Sequence, residues 1–399
     1  MKRVLLLSHM FPRGPRDNYG CFVAGQASAL NNAGGLELRV VVGRPFWINT
    51  FNPVLIFRAF MDFKQQIKKV QWETRNGIKV LFFPYIVGKF VRFCVHGLSY
   101  RYSISRIAGK IKRDFNFNII HAHDGYLDGF AGRYLSRRFE TPLVITEHMG
   151  GPYSRLTQRD FIKRIILRSY AQADKILPVS KALENEIRSK LPREHHGKLE
   201  CISNGINPGL FHTDPENSCV DGATRLLSVI SFDENKNPFC LLRALKILVS
   251  RGHDLRLKIV GDGPLKNAVG KWAKDNNMAH MIELPGLLPL EEVARTMRED
   301  CDIFVLSSNY ETFGVVVIEA LASGKPVVST RCGGPEGIIT ESYLGELCGK
   351  NDPVLLADAI EKVMDRIEDY PPEQISAFAH ANYGYAKVAE KLKGLYSEL

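Results

Sequence analysis

Short apolar runs alternate with longer segments of helical periodicity along all 399 residues. The runs are Val4–Leu7, Leu38–Val42, Ile119–Ile120, Leu143–Ile145 and Ile176–Val179 in the first half, and Leu226–Ile230, Leu257–Val260, Ile282–Leu284, Ile303–Leu306 and Val327–Val328 in the second. Buried strands that alternate with helices are typical of parallel sheets covered on both faces. The pattern therefore predicts an α/β protein with two doubly wound, Rossmann-like domains.

Between the two series, Asn204–Gly222 is rich in Asn, Pro, Gly and Asp and lacks a periodic apolar pattern, as a linker does. We place the domain boundary between residues 205 and 206. The second domain extends to residue 375, and residues 376–399 form a separate helical tail. A chain of this length with 45% hydrophobic residues can bury two cores.

Only four consecutive apolar residues, Val4–Leu7, precede the polar Ser8, which is too few for a signal peptide. No run approaches the roughly 18 apolar residues of a membrane-spanning helix. The eight cysteines show no spacing typical of a zinc site or a disulfide framework. The adjacent His195 and His196 lie in a polar stretch, which indicates a surface loop. These patterns predict a cytoplasmic protein with reduced thiols.

The charge is distributed unevenly along the chain. Residues 1–205 carry 33 Lys and Arg against 15 Asp and Glu, a formal balance of +18, whereas the remainder carries 20 against 28, a balance of −8. Such asymmetry indicates an anionic partner for the first half. Residues 46–69 and 89–113 mix bulky aromatic side chains with cations, as helices at membrane interfaces do. Because no nucleic-acid motif accompanies them, we expect an anionic membrane surface as the partner and no nucleic acid. The alternative is that both stretches are amphipathic helices packed on the first sheet.

The segment Ser307–Glu319 follows the buried run Ile303–Leu306 and carries two glutamates eight residues apart, Glu311 and Glu319. If a helix opens at Phe313–Gly314, its unpaired N–H groups suit an anionic ligand such as a diphosphate. Glu311 can accept hydrogen bonds from sugar hydroxyls, and Glu319 from a ribose diol. One ligand that carries sugar, diphosphate and ribose satisfies all three features. The alternative is a buried helix with two incidental acids.

This segment resembles the E-x7-E signature of retaining group-1 nucleotide-sugar glycosyltransferases, which have the two-domain GT-B fold. Weaker motifs follow in the family's order: Tyr19–Gly20, Thr146–His148, Asn204–Asn207, Lys236, Gly261–Pro264, Ser323–Val328 and Gly333–Glu336. The resemblance covers nearly the whole chain. It implies that residues 1–205 bind the acceptor, that residues 206–375 bind the nucleotide sugar, and that a C-terminal helix over residues 376–399 crosses back to the first domain.

The resemblance also implies a donor site. Its positions are Gly20, Ser231, Lys236, Gly261, Gly263, Leu288, Glu311, Thr312, Phe313, Gly314, Val315 and Glu319. Lys236 follows the strand Leu226–Ile230, where its charge would stabilise the departing nucleotide. Family members carry an arginine just after this strand, but Ser231 stands in that place here. Either another basic residue substitutes for the arginine or the donor binds less tightly.

His148 aligns with a histidine that family members place beside the reacting sugar carbon, and the resemblance therefore assigns it to the catalytic set with Glu311 and Lys236. The segment His121–Asp124 also ends a strand. It can face the ligand or be a loop satisfied by local hydrogen bonds. Family members read the donor's base with backbone groups, which here belong to Leu287 and Leu288, so the base stays open among UDP, GDP and ADP.

Asp300 and Asp302 form a D-x-D pattern, but they enter the strand Ile303–Leu306 rather than leave it, and ligands of such sheets bind at the other end. We therefore expect no metal, and no cofactor besides the nucleotide sugar as co-substrate. The resemblance implies a retaining hexosyltransferase with front-side attack, which acts on a glycan or lipid-linked acceptor in cell-surface polysaccharide or glycolipid biosynthesis, peripherally at the inner face of the membrane. Two alternatives remain: a nucleotide-sugar epimerase or phosphorylase of the same architecture, and a non-catalytic binding protein.

Overall fold

The computed structural model describes residues 1–12, 14, 19–89, 91–150, 160–214 and 222–399. The chain divides into two compact units: one contains Met1–Ser203 together with Val388–Leu399, and the other contains Asn204–Lys387. Each unit is built on one mainly parallel sheet with helices in the connections between its strands. The predicted α/β class and the two doubly wound Rossmann-like folds are therefore confirmed.

The described part of the first unit contains a seven-stranded sheet. Its strands are β1 (Lys2–Ser8), β2 (Leu36–Trp47), β3 (Trp72–Arg75), β4 (Ile78–Val87), β5 (Ile119–Ala122), β6 (Leu143–Glu147) and β7 (Lys175–Pro178), in the order β3-β4-β2-β1-β5-β6-β7. Its helices are α1 (Cys21–Asn32), α2 (Pro53–Lys68), α3 (Phe93–Asp114), α4 (Leu127–Phe139), α5 (Asp160–Gln172) and α6 (Lys181–Lys190). Val4–Leu7 in β1 are fully buried, because helices cover both faces of a parallel sheet and the central strands are apolar throughout.

The second unit contains a six-stranded sheet in its described residues. The strands are β8 (Thr224–Val229), β9 (Leu255–Val260), β10 (Ile282–Gly286), β11 (Ile303–Leu306), β12 (Val327–Thr330) and β13 (Gly345–Cys348), in the order β10-β9-β8-β11-β12-β13. The helices are α7 (Pro238–Ser250), α8 (Lys266–Asp275), α9 (Leu290–Glu299), α10 (Val315–Ala322), α11 (Pro353–Asp365) and α12 (Pro372–Tyr383). Every strand pair in this sheet is parallel.

The prediction of one C-terminal helix over residues 376–399 is wrong, because two helices occupy this part of the chain, α12 and α13 (Tyr385–Glu398). Gly384 between them has an extended ψ of 140°. Ile206 donates its N–H to the Tyr383 carbonyl and accepts from the Tyr385 N–H, both at 2.9 Å. These two bonds replace the helical bonds that a continuous helix would make at the break.

The second of these helices, α13, contributes to the core of the first unit. Val388, Leu392, Leu395 and Tyr396 are almost completely buried among side chains of β1, β2 and α1. The preceding helix α12 belongs to the second unit. None of the described helices combines the length and the hydropathy that crossing a bilayer requires.

Candidate active site

In each sheet the strand order reverses once between two adjacent central strands. The reversal lies between β1 and β5 in the first unit and between β8 and β11 in the second. Connections leave such a pair toward opposite faces of the sheet, which opens a crevice at the carboxyl ends of the two strands. Several of the predicted site residues directly follow these strands or their neighbours.

In the second unit, Lys236 and Glu311 meet at the carboxyl end of the β8–β11 pair. The Lys236 Nζ atom lies 2.6 Å from Glu311 Oε1, and the Ser308 hydroxyl donates to the same oxygen at 2.7 Å. The two side chains are 23% and 11% exposed. The sequence placed both residues in one site, and the fold brings them into direct contact although 75 positions separate them.

Hydrogen bonds to backbone carbonyls hold the two loops that carry this ion pair. The Asn309 N–H donates to the Asn235 carbonyl at 2.6 Å, and the Asn235 side-chain amide donates to the Tyr310 carbonyl at 2.9 Å. The Ser307 hydroxyl donates to the Lys236 carbonyl at 2.9 Å. These bonds order the Lys236 loop before any ligand binds.

Ser231, which stands where the family pattern has arginine, belongs to the turn that leads to Lys236. Its hydroxyl lies 2.5 Å from Asp233 Oδ2, and the other oxygen of Asp233 accepts the Lys236 N–H at 3.0 Å. In this structure the serine therefore closes a turn, and its short side chain supplies no cation.

The helix α10 begins at Val315, immediately after Glu311–Gly314, as the glycine in the motif predicts. Gly314 is the N-cap in a left-handed conformation with φ +94°, and no side chain caps the helix at this position. Phe313 is buried against Tyr383, with ring centroids 5.9 Å apart. Thr312 and Val315, beside these two residues, are both half-buried. The first N–H groups of α10 thus lie beside Glu311, at the end of the helix that favours anions.

Glu319, one turn into α10, is a buried carboxyl group with unusual surroundings. The residue is 7% exposed, and no hydrogen bond from the described residues contributes to the pKa of its carboxyl group. Burial raises the pKa of Glu319 to about 7. Buried polar groups are nearly always paired, so a carboxyl that lacks a donor inside the protein is a candidate for hydrogen bonds from a ligand.

Gly261 and Gly263, which follow β9, allow the chain to pass very close to the residues after β8. Their φ angles are +141° and +154°. A Cβ atom on Gly261 would lie 1.8 Å from the Ile230 carbonyl oxygen, and one on Gly263 would lie 2.7 Å from that of Phe232. The need for glycine is therefore explained by backbone packing, which shapes the loop beside Ser231. Leu288 lies two residues beyond the end of β10 and is half-buried.

In the first unit, His148 follows β6 and contacts His123, which follows β5. His123 Nδ1 lies 3.1 Å from His148 Nε2, and the rings stack with centroids 5.3 Å apart. The Phe22 ring packs on His148 at 5.0 Å. His123 is completely buried, and within the described ranges its Nε2 has no hydrogen-bond partner. Burial, followed by the nearby His121, lowers the pKa of His123 well below its ordinary value.

His121, by contrast, is satisfied within the protein. Its two ring nitrogens lie 2.6 Å from the Tyr396 hydroxyl and 2.7 Å from the Thr146 hydroxyl. Burial, followed by His148, lowers the pKa of His121 to about 3. The two histidines of the segment His121–Asp124, which the sequence could not separate, therefore differ: both ring nitrogens of His121 have partners, whereas the Nε2 atom of the equally buried His123 has none among the described residues.

Glu147 connects the turns that carry these histidines. It is buried and accepts four hydrogen bonds, from the N–H groups of Gly125, His148 and Met149 and from the Tyr170 hydroxyl, at 2.6–3.0 Å. Burial, followed by the charge of Asp124, raises the pKa of Glu147 to about 7. The sequence motif Thr146–His148 contained this residue, but nothing in the sequence indicated what it contacts.

Gly20 is the N-cap of α1 in a left-handed conformation with φ +73°. A Cβ atom here would lie 2.4 Å from the Met10 carbonyl carbon and 2.6 Å from the Phe11 nitrogen. Local packing thus explains why position 20 requires glycine. The expected contact of Gly20 with a phosphate stays a prediction. Part of the loop from His9 to Gly20, and Gly151 beyond His148, lie outside the described residues.

One buried cluster of the first unit has side chains of the kind that bind metal ions, but these side chains have partners within the protein. His9, Asp124 and Asp128 present possible ligand atoms within 4.8 Å of one another. Asp128 accepts from the backbone N–H of His9 at 3.1 Å, lies 2.8 Å from its Nδ1, and accepts from the Tyr100 hydroxyl. Asp124 accepts from the N–H groups of Tyr126 and Leu127 at the start of α4.

The D-x-D residues lie before β11, at the end of the sheet opposite Lys236 and Glu311. Asp302 binds the Arg225 guanidinium at 2.7 and 3.2 Å, and Asp300 pairs with Lys258 at 2.9 Å.

Comparison with known proteins agrees with this fold. Residues 214–372 match the family described as glycosyl transferases group 1, and residues 35–210 match glycosyltransferase family 4. The whole chain superimposes on sucrose-phosphate synthase from Thermosynechococcus elongatus with a TM-score of 0.77 at 19% identity, and covers 99% of that chain. It superimposes with a TM-score of 0.74 at 16% identity on the full chain of Anabaena Alr3699/HepE, solved in complex with UDP. The fold class is therefore GT-B.

A sequence relative identifies the family. An uncharacterized glycosyltransferase of Methanocaldococcus jannaschii, MJ1178, is 30% identical over 275 residues, which are 68% of this chain and 72% of the relative. The chain belongs to the group-1 glycosyltransferases, as the motifs predicted.

Proposed function

We propose that the protein is a retaining, metal-independent hexosyltransferase that moves a sugar from a nucleotide sugar to a glycan or lipid-linked acceptor. The observation that carries this proposal is the combination, in one unit, of the Lys236–Glu311 pair, the uncapped start of α10 and the buried Glu319 without a protein donor. A cation, a set of N–H groups and two carboxylates match a ligand made of diphosphate, ribose and sugar. The UDP complex of the Anabaena relative in fold supports a nucleoside diphosphate as the ligand class.

In this proposal Lys236 and the first N–H groups of α10 bind the diphosphate. Glu311 accepts hydrogen bonds from the sugar hydroxyls, and Glu319 accepts them from the ribose diol. Lys236 already has Glu311 as a partner at 2.6 Å, so its charge is balanced before the donor arrives. His148, which the family pattern assigns to the reacting sugar, lies 3.1 Å from His123, whose Nε2 has no partner in the described chain.

The reaction follows from these contacts. The bond between the sugar C1 and the diphosphate oxygen breaks, and its electron pair remains on the diphosphate, where Lys236 and the α10 N–H groups stabilise the charge. The acceptor oxygen attacks C1 from the same face, which retains the configuration, and its proton passes to the departing phosphate oxygen. Fixed positive groups that face the leaving diphosphate perform the task that a divalent metal performs elsewhere, which is why we propose metal independence.

The acceptor in this proposal is borne by a membrane, and the protein works peripherally at the inner face in cell-surface polysaccharide or glycolipid synthesis. The balance of +18 over residues 1–205 supports an anionic surface as partner of the first unit.

The test is to transfer labelled sugar from UDP-, GDP- and ADP-sugars to a membrane lipid extract in the presence of EDTA, and to assign the anomer of the product by NMR. We expect a product with the configuration of the donor, formed equally with and without EDTA. A Glu311→Gln variant should make little product, whereas the exposed, matched Glu341→Gln control should equal the wild type. An inverted product, or loss of activity in EDTA, would contradict the mechanism.

A further inference from the structure

The helix α2 carries apolar side chains both on the face that packs against the first unit and outside that face. Its inward face packs only near the end of the helix, where Phe63 and Ile67 are 1% and 4% exposed. At about 100° per residue, Val54 and Met61 point away from that face and Phe57 lies on its flank, and the three are 59%, 50% and 64% exposed. One apolar stripe is enough to pack a surface helix. The second stripe therefore has no role in the packing of the described residues.

The chain just before α2 extends this second stripe. Trp47 and Phe51 are 65% and 70% exposed, and Leu55 is 47% exposed. We name Trp47, Phe51, Val54, Leu55, Phe57 and Met61 the outer α2 surface. Single exposed apolar residues are common, but six large ones within 15 positions form a patch of the kind that marks an interaction site.

The structure distinguishes this stretch from the second one that the sequence grouped with it. Helix α3 buries Tyr100, Ile104, Ile107 and Ile111, so most of it is an ordinary amphipathic helix packed on the first sheet. At the beginning of α3, Leu98 and Tyr102 are 46% and 38% exposed. The Tyr102 ring lies 6.5 Å from that of Phe63, which places the start of α3 beside α2.

The stretches of chain that form α2 and α3 are rich in cations. Residues 47–69 contain four Lys and Arg residues and one acidic residue, Asp62. Residues 88–113 contain seven Lys and Arg residues and no acidic residue. Arg58 and Lys68 are exposed on the same face of α2 as the apolar stripe. An apolar stripe flanked by cations is complementary to a bilayer whose interior is apolar and whose headgroups are anionic.

We propose that the outer α2 surface docks on an anionic lipid bilayer, with α2 in the interface plane and its apolar side chains among the headgroups and upper acyl chains. This inference rests on the proposed membrane-borne acceptor and adds the surface and the lipid chemistry by which the enzyme reaches it. Electrostatic attraction brings the first unit to the membrane, and burial of the apolar stripe retains it there.

The test is co-sedimentation of the full chain with vesicles of phosphatidylcholine, alone or mixed with phosphatidylglycerol. We expect binding to the mixed vesicles that weakens in high salt. A Phe57→Ser, Met61→Ser double variant should lower the partition coefficient about tenfold or more, because two large apolar side chains no longer enter the bilayer. Neither residue is among the candidate site residues, so binding of the nucleotide-sugar donor, measured by calorimetry without vesicles, should not change.

A matched control is available in the second unit. Helix α11 also starts with a side-chain cap and a proline, and Val354 and Leu355 in its first turn are 48% and 45% exposed. A Val354→Ser, Leu355→Ser variant should bind the vesicles as the wild type does.

Three results would overturn the proposal. The first is a wild type that does not bind mixed vesicles, and the second is a Phe57→Ser, Met61→Ser variant that binds them as well as the wild type does. The third is sedimentation velocity in which the wild type is a dimer and this variant a monomer, with vesicle binding unchanged. The last result would assign the surface to a second copy of the chain. Vesicle binding without nucleotide release from any donor would refute the proposed transferase and leave the docking surface intact.

Discussion

Lys236 Nζ lies 2.6 Å from Glu311 Oε1, so the cation expected to hold a diphosphate and the carboxylate expected to hold a sugar are already paired. The pair joins the loops after β8 and β11, the two strands at which the order of the second sheet reverses. A donor must therefore enter an ordered site in which Lys236 turns part of its hydrogen bonding from Glu311 to phosphate. Such preorganisation reduces the reorganisation that the reaction itself would need.

Replacing Lys236 by Met should lower kcat about a hundredfold, because a positive group facing the leaving diphosphate is lost. The ion pair is partly exposed, so the free energy of unfolding should change by only about 1 kcal/mol. Steady-state kinetics and thermal unfolding measure the two effects. Lys271, on the exposed face of α8, is a control that should retain full activity as Lys271→Met. Equal losses of stability and activity would instead assign Lys236 a structural role.

Glu319 should make donor binding depend on pH. Burial raises its pKa to about 7, and only the ionised carboxylate accepts both hydroxyls of a diol. Binding of a nucleotide sugar should therefore strengthen about tenfold between about pH 6 and about pH 8, as the ionised fraction grows. Calorimetry on wild type and Glu319→Gln measures the effect, and the variant should bind with little dependence on pH.

Glu319 should also make the stability of the protein depend on pH, with a trend opposite to that of donor binding. The folded pKa of Glu319 is above its ordinary value, so the folded state holds the proton more tightly than the unfolded state does. Stability without ligand should fall as pH rises from about 4.5 through about 7, by roughly 3 kcal/mol for a fully buried group. The difference between wild type and Glu319→Gln in denaturant unfolding isolates this contribution. A constant difference across that range would show that Glu319 is ionised throughout.

The His123–His148 pair should act as one unit. Changing either histidine to Ala should lower kcat/KM about tenfold or more, because a hydrogen bond to the sugar is lost. The double variant should lose less than the product of the two effects, since the side chains are in contact at 3.1 Å. His195→Ala, in the short helix Arg193–Lys198, is the control. Strictly multiplicative losses would argue that the two histidines act separately.

Glu147 should stabilise the turns that carry these histidines. A Gln at this position presents one acceptor oxygen instead of two, so at least one of the Gly125, His148, Met149 and Tyr170 donors loses its partner. Glu147→Gln should lower the free energy of unfolding by about 1–3 kcal/mol. Tyr170→Phe removes one donor and leaves the other three bonds intact, so it should cost less. A larger loss of unfolding free energy in Tyr170→Phe than in Glu147→Gln, measured by denaturant unfolding, would contradict this assignment.

Gly261→Ala should be among the most destabilising alanine substitutions in the second unit. The new Cβ would lie 1.8 Å from the Ile230 carbonyl oxygen at a φ of +141°, so the backbone must move. Gly252 has φ +94° but open space around it, and Gly252→Ala should cost only about 1–2 kcal/mol of conformational strain. Similar unfolding free energies for the two variants would show that the β8 and β9 loops separate easily.

The sequence predicted the alternating strands and helices well because buried parallel strands are apolar throughout, and each of the ten apolar runs overlaps a strand. It gave no prediction for β3, β4 and β13, although Asn76–Gly77 between β3 and β4 is a typical two-residue hairpin turn, with φ of +46° and +78°. The break at Gly384 could not be predicted, because it depends on a pairing with Ile206, which is distant in the chain.

The candidate site could be predicted only in part. Spacing and motif order indicated Lys236, Glu311, Glu319 and His148, but spacing carries no information about contacts. The Lys236–Glu311 pair, the donors that surround Glu147, and the difference between His121 and His123 all depend on which side chains the fold brings together.

The most direct test of the central claim is to incubate the purified protein with UDP-, GDP- and ADP-sugars and membrane lipid extract, and to follow nucleotide release beside a Glu311→Ala variant. We predict release from one donor that requires the lipid extract and disappears in the variant. Absence of release from every donor, together with absence of donor binding by calorimetry, would contradict the account.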